Sequence, residues 1–403
     1  MKRSSGIALR PPWGRPVAEG GVPVDATADL VVVGAGAAGL TTALAAAEGG
    51  ADVIVIEAGR IGADASGALP GWLTPLQGET PHDIRLLHGD DAVRAWAAQT
   101  GRALEYVRRR GAEFGVPVAD RTFGATTTQG HWAFQLRFVA RALRVGGYRC
   151  EFADVSGLPF EVRPELVVGG GAVVDPAEWL GALAARAVDA GVRIFGGAAM
   201  AGLRVDRTGA RVIAGSAELR ARRVVLASSA PLADRAALRA RVRAETWHLL
   251  ALRTDVFPLR EVQLVDRPGM LVSRYRDLLI IGQNGGSVAE LIDRVSRSWP
   301  DAQVVNGWST TTHRSVDGLP LVGSASLSGD TVLTAAGLGA FELVNGTAAG
   351  LQLADVALGR SAAAELPWRP ARVPLARGLS KRGRSALIGP IPWITRLNEP
   401  GSR

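Results

Sequence analysis

Short apolar runs rich in valine and isoleucine alternate with alanine-rich stretches near the start of the chain. Residues 29–33 have the composition of a buried parallel strand, residues 40–48 predict a helix, and residues 52–56 predict a second strand. Further along, the pattern predicts helices over 177–190 and 351–358, and strands over 191–195, 200–205, 223–230 and 271–281. The chain is therefore expected to alternate strands with helices.

A glycine-rich turn separates the first predicted strand from the first helix. Gly34 permits the tight turn, Gly36 allows the backbone to approach a pyrophosphate, and Gly39 lets the helix pack close to the strand. Glu57 ends the second strand, where it is placed to accept hydrogen bonds from an adenosine ribose. Strand, turn, helix, strand and acid together predict a dinucleotide-binding unit, although the motif alone does not separate FAD from NAD.

The positive charge is concentrated at the two ends of the chain. The 403 residues carry a formal net charge of +8, with +3 on the first 20 residues, +7 on residues 366–403 and −2 on the residues between them. The remaining body is slightly acidic, so the basic balance does not by itself predict a nucleic-acid-binding protein. Residues 366–403 also contain six prolines, and we expect a tail that wraps over the surface or stays partly disordered.

Cysteine content and the apolar runs limit the compartment and the chemistry. Cys150 is the single cysteine, which excludes an internal disulfide and a cysteine-rich iron–sulfur or metal site, and no metal site is predicted. The basic start lacks an apolar core, and no run reaches the roughly 18 apolar residues that span a bilayer. We expect a cytoplasmic protein without a membrane span.

Four stretches resemble the FAD-dependent D-amino-acid oxidase and glycine/sarcosine oxidase superfamily. They are the dinucleotide motif with its Glu-Ala-Gly-Arg extension, the Ala-Ser-Gly run within 61–71, the middle block 171–230, and the C-terminal signature that begins at Trp308 and includes Asp-Gly-Leu-Pro. In the family, the middle block closes the FAD domain with Thr-Gly, where this chain has Ser228-Ser229. The Asn-Gly-Thr-Ala-Ala-Gly run at 345–350 is expected to open the last helix.

The resemblance implies an α/β fold with two domains. One is a Rossmann-like FAD-binding domain with a doubly wound, mostly parallel sheet, assembled from residues 28–80, 166–240 and 306–360. The other is a substrate domain with a mixed or antiparallel sheet, built from residues 81–165 and 241–305. An N-terminal extension over 1–27 and a basic, proline- and arginine-rich tail over 361–403 lie outside both domains.

The resemblance also implies a set of cofactor-binding residues. Because Thr310 stands where monomeric sarcosine oxidases carry their flavin-linked cysteine, and the 57–72 loop lacks histidine, we expect non-covalent FAD. The residues expected to bind FAD are Gly34, Gly36, Ala37, Ala38, Gly39, Glu57, Ala58, Gly59, Arg60, Ala65, Ser66, Met200, Ala227, Gly337, Gly339, Ala340 and Phe341.

The substrate-binding residues are less completely specified. Relatives that oxidise amino acids place a carboxylate-binding arginine four residues after the signature tryptophan, where this chain has Thr312. Either Arg314, two residues further on and on the same strand face, substitutes for it, or the substrate is not a simple α-amino acid. Candidates for the catalytic site are Arg314, Arg274, Tyr275, Arg276 and Trp308, with packing or solvent-exposed roles as the alternative for each.

Together these features predict an FAD-dependent oxidoreductase. The leading hypothesis is oxidation of a C–N bond in a small-molecule amine or amino acid to an imine, by hydride transfer to flavin N5, with oxygen or another acceptor reoxidising the flavin. One alternative is oxidation of an α-hydroxy acid or alcohol in the same flavin cradle. Another is a flavoprotein scaffold that binds an anionic partner through its basic tail, although nucleic acid is not expected as a partner; a third is an NAD-binding protein.

Overall fold

A computed structural model describes residues 10–13, 21, 23–231, 238–325 and 329–372. The strands are β1 (Ala26–Val33), β2 (Val53–Ile56), β3 (Trp72–Leu73), β4 (Val118–Thr126), β5 (Cys150–Ala153), β6 (Glu165–Val174), β7 (Arg193–Phe195), β8 (Met200–Asp206), β9 (Gly209–Ala214), β10 (Ala217–Ser229), β11 (Val242–Arg253), β12 (Glu261–Leu264), β13 (Met270–Tyr275), β14 (Leu278–Asn284), β15 (Gln303–Ser315), β16 (Leu321–Ser324) and β17 (Val332–Ala336).

Eight α-helices lie in the described ranges, together with two short 3₁₀ segments at Leu238–Arg241 and Ala363–Glu365. The helices are α1 (Ala37–Glu48), α2 (Ala65–Ala68), α3 (Thr80–His88), α4 (Asp90–Phe114), α5 (Gly130–Val145), α6 (Pro176–Asp189), α7 (Val288–Ser298) and α8 (Glu342–Ala357). Within these same ranges, none of the helices combines the length and the hydropathy needed to cross a bilayer.

The first sheet has the strand order β16-β17-β10-β1-β2-β7, and its core is parallel. β16 adds an antiparallel edge, and the β8–β9 hairpin extends from β10. The central strands are buried on both faces, which explains why β1 and β2 are continuous apolar runs. The four consecutive carboxyl-terminal residues of β1 pair with Val53–Ile56, so the glycine turn and Glu57 emerge side by side.

The second sheet has nine strands in the order β15-β11-β14-β13-β12-β4-β6-β3, with β5 paired to β6. All its pairings are antiparallel except β12 with β4, so it is a mixed, mostly antiparallel sheet. The predicted fold class is confirmed. β6 and most of β15 lie in this second sheet, although the predicted FAD-domain segments include them, and the exact domain boundaries stay a prediction.

Two expectations about individual elements are wrong. The run 271–281 is a hairpin, because Tyr275 pairs with Leu278 and Arg276 takes a left-handed turn conformation with φ 56°. The sequence lacked the Asn-Gly or Asp-Gly dipeptide that marks such turns. The last helix begins at Glu342, before the Asn-Gly-Thr-Ala-Ala-Gly run. Gly346 and Gly350 lie inside this helix and allow it to pack closely against α1, because a Cβ at Gly350 would lie 2.7 Å from the Ala38 carbonyl oxygen.

Residues of both predicted terminal extensions pack into the body. Trp13 is buried, and its indole Nε1 donates to the Gly67 carbonyl at 2.7 Å. Trp368 is fully buried and its carbonyl accepts from the Val322 amide. The expected tail therefore begins as packed structure up to residue 372, and residues 373–403 lie outside the described part of the chain.

Candidate functional site

The carboxyl end of the parallel sheet carries a cleft of about 720 Å³, which we call the dinucleotide cleft. Its walls come from the glycine turn after β1, the segment after β2, the residues around α2, and the ends of β8 and β10. Clefts at this edge of a doubly wound sheet are where such folds bind dinucleotides. The predicted cofactor-binding residues that line it are Gly34, Gly36, Ala37, Ala38, Glu57, Ala58, Arg60, Ala65, Ser66, Met200 and Ala227.

The glycines of the turn are required by contacts between backbone atoms. A Cβ on Gly34 would lie 2.5 Å from the Ala227 carbonyl oxygen, and Gly34 has φ +108°. A Cβ on Gly39 would lie 1.9 Å from the Gly34 carbonyl oxygen. Gly39 therefore supports the turn from beneath the cleft, and the amino end of α1 is left facing the cleft, as anion binding requires.

Glu57 holds the turn after β1 to the segment after β2. Its Oε2 accepts from the Ala35 amide and its Oε1 accepts from the Gly59 amide, both at 2.8 Å. Two backbone donors therefore fix the carboxylate at the mouth of the cleft. The expected ribose contact would be an additional hydrogen bond to the same carboxylate.

Two tryptophans support the short helix α2 from below. Trp308 Nε1 donates to the Ala68 carbonyl at 2.8 Å, while Trp13 holds the neighbouring Gly67 carbonyl. The two indoles meet edge to face, with ring centroids 5.5 Å apart. Trp308 is thus a core residue beneath the Ala-Ser-Gly loop. The sequence analysis predicted no role for Trp13.

A buried hydrogen-bond network closes one wall of the dinucleotide cleft. Glu342, in the first turn of α8, accepts from Ser66 Oγ at 2.9 Å and from Ser229 Oγ at 2.6 Å. The Ala37 amide at the start of α1 in turn donates to Ser66 Oγ at 3.2 Å. Burial raises the pKa of Glu342 to about 7, against the hydrogen bonds from Ser229 and Ser66, which lower it; the nearby Asp64 contributes a smaller part of the increase.

Ser229 stands where the family has the glycine of its Thr-Gly turn. The residue has φ 58°, a conformation that glycine adopts freely and other residues rarely adopt. Its hydroxyl bond to Glu342 compensates part of that cost. The chain thus takes the left-handed conformation at this turn without a glycine, and a serine hydroxyl stands in the wall of the cleft.

A second cavity of about 400 Å³ adjoins the dinucleotide cleft, and Leu338 lines both. The turn that contains Leu338 supplies four predicted cofactor-binding residues that line this cavity rather than the cleft: Gly337, Gly339, Ala340 and Phe341. The other two predicted residues, Gly39 and Gly59, line neither. The turn is held against β15, because the Gly339 amide donates to the His313 carbonyl and the Ser315 amide donates to the Gly337 carbonyl. It therefore lies where a group bound in the cleft would meet a ligand in the second cavity.

Arg314 is the one predicted catalytic residue that lines the second cavity. Its guanidinium lies 3.4 Å from Asp83 Oδ2 and 4.0 Å from Glu245 Oε1. Burial raises the pKa of Asp83, and Arg314 acts against that increase. Thr312, at the position of the family's arginine, is fully buried and donates weakly to the Glu245 carbonyl.

Buried amide side chains form another part of the second cavity's wall. Gln77 and Asn345 exchange a reciprocal pair of hydrogen bonds at 3.1 and 3.0 Å, and Asn345 also donates to the Leu338 carbonyl. Gln263 donates to the Leu76 carbonyl and accepts from the Gly78 amide. Sequence reasoning missed these three, although a buried asparagine within the apolar α8 was a usable signal.

The other predicted catalytic residues lie apart from the second cavity. Arg274, Tyr275 and Arg276 line a separate hollow of about 250 Å³, together with Asp175. The Tyr275 hydroxyl donates to Asp175 at 2.6 Å, and burial followed by this bond raises the Tyr275 pKa. The structure therefore brings together Arg314 and the 337–341 turn, and it does not bring the 274–276 hairpin to them.

Asp317 of the C-terminal signature has a supporting role. Its carboxylate accepts from Arg372 at 2.7 and 3.0 Å, and Arg241 lies 3.4 Å away. Burial opposes its ionisation, but the bonds from His88 and Arg372 outweigh burial and lower the Asp317 pKa. The signature aspartate thus fastens the packed start of the C-terminal segment to the body.

The cleft fits a dinucleotide in size and in chemistry, since it joins bare glycine backbone and a helix amino end to an acid at its mouth. The family profile of FAD dependent oxidoreductases, named DAO, matches residues 29–356. The chain belongs to this family. The cofactor is therefore FAD, which excludes the NAD-binding alternative, and the protein is an FAD-dependent oxidoreductase.

Similar proteins of known structure share the fold. Glycine oxidase from Geobacillus kaustophilus superposes with a TM-score of 0.70 at 20% identity, covering 86% of this chain and 99% of that one. L-amino acid deaminase from Proteus vulgaris, with its specific insertion deleted, gives a TM-score of 0.70 at 16% identity, covering 89% and 97%.

A curated relative matches over a shorter stretch. Gamma-glutamylputrescine oxidoreductase from Escherichia coli strain K12 is 39% identical over 84 residues, which is 21% of this chain and 20% of that protein. The matched stretch thus spans a fifth of the relative's length.

Proposed function

We propose that this chain oxidises the C–N bond of a primary or secondary amine or amino acid to an imine. The observation that carries the proposal is the meeting of the dinucleotide cleft and the second cavity at Leu338. An amine in the second cavity would lie next to the group that the cleft holds. Bound FAD supplies the oxidant, an acceptor for a hydride at flavin N5.

The chain's own task is to orient the substrate and to keep water away from it. Trp72, Trp247 and Phe341 give the second cavity apolar walls, while Gln263 and Asn345 are fixed by hydrogen bonds of their own. Such walls position a substrate by shape and leave a few polar atoms to select its orientation. The names of the glycine oxidase, the amino acid deaminase and the putrescine derivative oxidoreductase support an amine or amino acid as the substrate.

Among the residues proposed from the sequence, Arg314 is the one placed to meet a substrate carboxylate in the second cavity. Asp83 and Glu245 already neighbour its guanidinium, so a substrate carboxylate would have to share that cation. A substrate without a free carboxylate would instead leave both contacts intact. These are the two alternatives that follow from Thr312 at the position of the family's arginine: Arg314 binds the carboxylate instead, or the substrate is not a simple α-amino acid.

We also propose that FAD is bound without a covalent link. Thr310, at the position of the family's flavin-linked cysteine, lines the dinucleotide cleft, and Cys150 lies on β5 of the other sheet. Precipitation with acid is expected to release all flavin into the supernatant. Flavin that stays with the denatured protein would overturn this proposal.

The substrate class is tested by anaerobic mixing of the purified holoenzyme with panels of amines, amino acids and α-hydroxy acids. We expect amines or amino acids to bleach the flavin absorbance, and ammonia or the released amine to appear as water hydrolyses the imine product in solution. Bleaching by hydroxy acids alone would overturn the proposal. Readmitting oxygen and measuring hydrogen peroxide then separates oxygen from another electron acceptor.

A further inference from the structure

Glu342 is a buried carboxyl in the wall of the dinucleotide cleft that the proposed oxidation does not use. Glu342 is 5% exposed. Its carboxylate accepts a hydrogen bond from Ser66 Oγ, which in turn accepts one from the Ala37 amide at the amino end of α1. That helix end is where the cleft offers positive dipole charge to the cofactor's pyrophosphate. A carboxylate beside an anion-binding helix end would repel the anion that the site is built to hold.

We propose that FAD binding by this chain is coupled to protonation of Glu342, so that the FAD complex holds this carboxyl in its neutral form. The proposal rests on the FAD cleft and is independent of the substrate class. When FAD binds to the ionised form, one proton passes from solvent to a Glu342 oxygen, and it returns to solvent when FAD leaves.

Protonation of Glu342 would change the direction of one hydrogen bond in this network. An ionised Glu342 can only accept, so it takes the hydroxyl protons of both Ser66 and Ser229. A protonated Glu342 donates one hydrogen bond itself. If it donates to Ser66 Oγ, which also accepts from the Ala37 amide, the Ser66 hydroxyl proton becomes available to a cofactor oxygen.

The strained turn at Ser229 shows that the network is built into the fold. Ser229 stays at φ 58° although a glycine would adopt this conformation without strain. The hydroxyl that glycine lacks is the one that binds Glu342 at 2.6 Å. Burial raises the pKa of Glu342 to about 7, so its proton can be gained or lost near neutral pH.

The charged groups around Glu342 define the pH range of the test. Asp64 precedes α2 and raises the Glu342 pKa, Glu57 and Arg60 line the same cleft, and Arg314 lines the second cavity instead. His313 from β15 also lines the cleft, and burial lowers its pKa below the usual 6.5. Comparison of pH 6.5 with pH 8.5 therefore follows Glu342, because the lowered pKa of His313 lies below this range.

The test is the dissociation constant of FAD from the full-length protein, measured by quenching of flavin fluorescence after removal of bound flavin. The wild type is expected to bind FAD about tenfold or more weakly at pH 8.5 than at pH 6.5, because each pH unit above the pKa changes the constant about tenfold. Glu342→Gln should show less than a twofold change. A wild type without pH dependence, or a Glu342→Gln protein with the wild-type dependence, would overturn the proposal.

Two controls keep the result independent of folding defects. Glu165→Gln is a matched substitution of a buried glutamate whose pKa is also raised by burial, but Glu165 lies on β6 of the second sheet and pairs with Arg260. This variant should keep the wild-type pH dependence. Calorimetry of the wild type in two buffers of different ionisation heat counts protons directly. Uptake approaching one proton per FAD near pH 7.5 is expected, and no uptake would contradict the coupling.

Discussion

The dinucleotide cleft and the second cavity differ in what their walls are made of. The cleft is built around backbone and small residues from short contiguous stretches, such as the turn from Gly34 to Gly39. The second cavity is built from large side chains of distant elements, such as Gln77, Gln263 and Asn345. A site made of backbone leaves glycines in the sequence at fixed spacing, whereas a site made of side chains leaves no local pattern.

The largest effect is expected where backbone meets backbone in the cleft. Gly39→Ala would place its Cβ 1.9 Å from the Gly34 carbonyl oxygen, and neither atom can rotate away. We expect the variant to purify without bound FAD, as measured by absorbance at the flavin band. Gly101→Ala on α4 is the matched control, because a Cβ there meets no atom within 4 Å; it should keep its flavin. Full flavin content in Gly39→Ala would contradict the backbone account of the cleft.

The second effect concerns Glu342, a large charged side chain in a cleft that is otherwise built around backbone and small residues. Its folded-state pKa of about 7 lies above the ordinary value of 4.5, so the folded protein binds a proton that the unfolded chain releases. This stabilisation is fully present below about pH 4.5 and is lost as pH rises through 7. Relative to Glu342→Gln, the flavin-free wild type should lose about 2.5 kcal/mol of unfolding free energy between pH 5 and pH 8. Urea denaturation at both pH values measures it, and parallel curves would refute the assignment.

A smaller effect is expected in the second cavity. Arg314→Gln removes the cation between Asp83 and Glu245, and we expect kcat/KM for the best amine substrate to fall about tenfold, or about 1.4 kcal/mol. Arg297→Gln is the control, because that arginine is exposed on α7 and pairs only locally with Asp293. Equal kcat/KM in both variants would show that Arg314 does not contribute to substrate binding or turnover.

The smallest effect links the cleft to the N-terminal extension. Trp13→Phe keeps an aromatic ring but loses the indole bond to the Gly67 carbonyl beneath α2. We expect a loss of about 1 kcal/mol in unfolding free energy, measured by thermal denaturation of the holoenzyme. An unchanged melting temperature would show that Trp13 does not stabilise the Ala-Ser-Gly loop.

The parts of the fold that could be predicted are those with a local cause. β1, α1 and β2 follow from an apolar run, a glycine turn and a second apolar run, and the family resemblance extended the prediction to the parallel and antiparallel sheets. The hairpin at Arg276 was missed because a non-glycine residue adopts the left-handed turn. The start of α8 was missed because Gly346 serves packing against α1 and leaves the helix intact.

The sequence by itself determined a dinucleotide-binding cleft, because glycine backbone and an acid at fixed spacing are what a bound pyrophosphate and ribose require. The tertiary structure alone decided which charged groups share a cavity. It separated Arg314 from the 274–276 hairpin, placed Asp83 and Glu245 beside it, and brought Glu342 to Ser66 across 276 residues of chain. Such contacts depend on how distant elements pack, and no spacing along the chain encodes them.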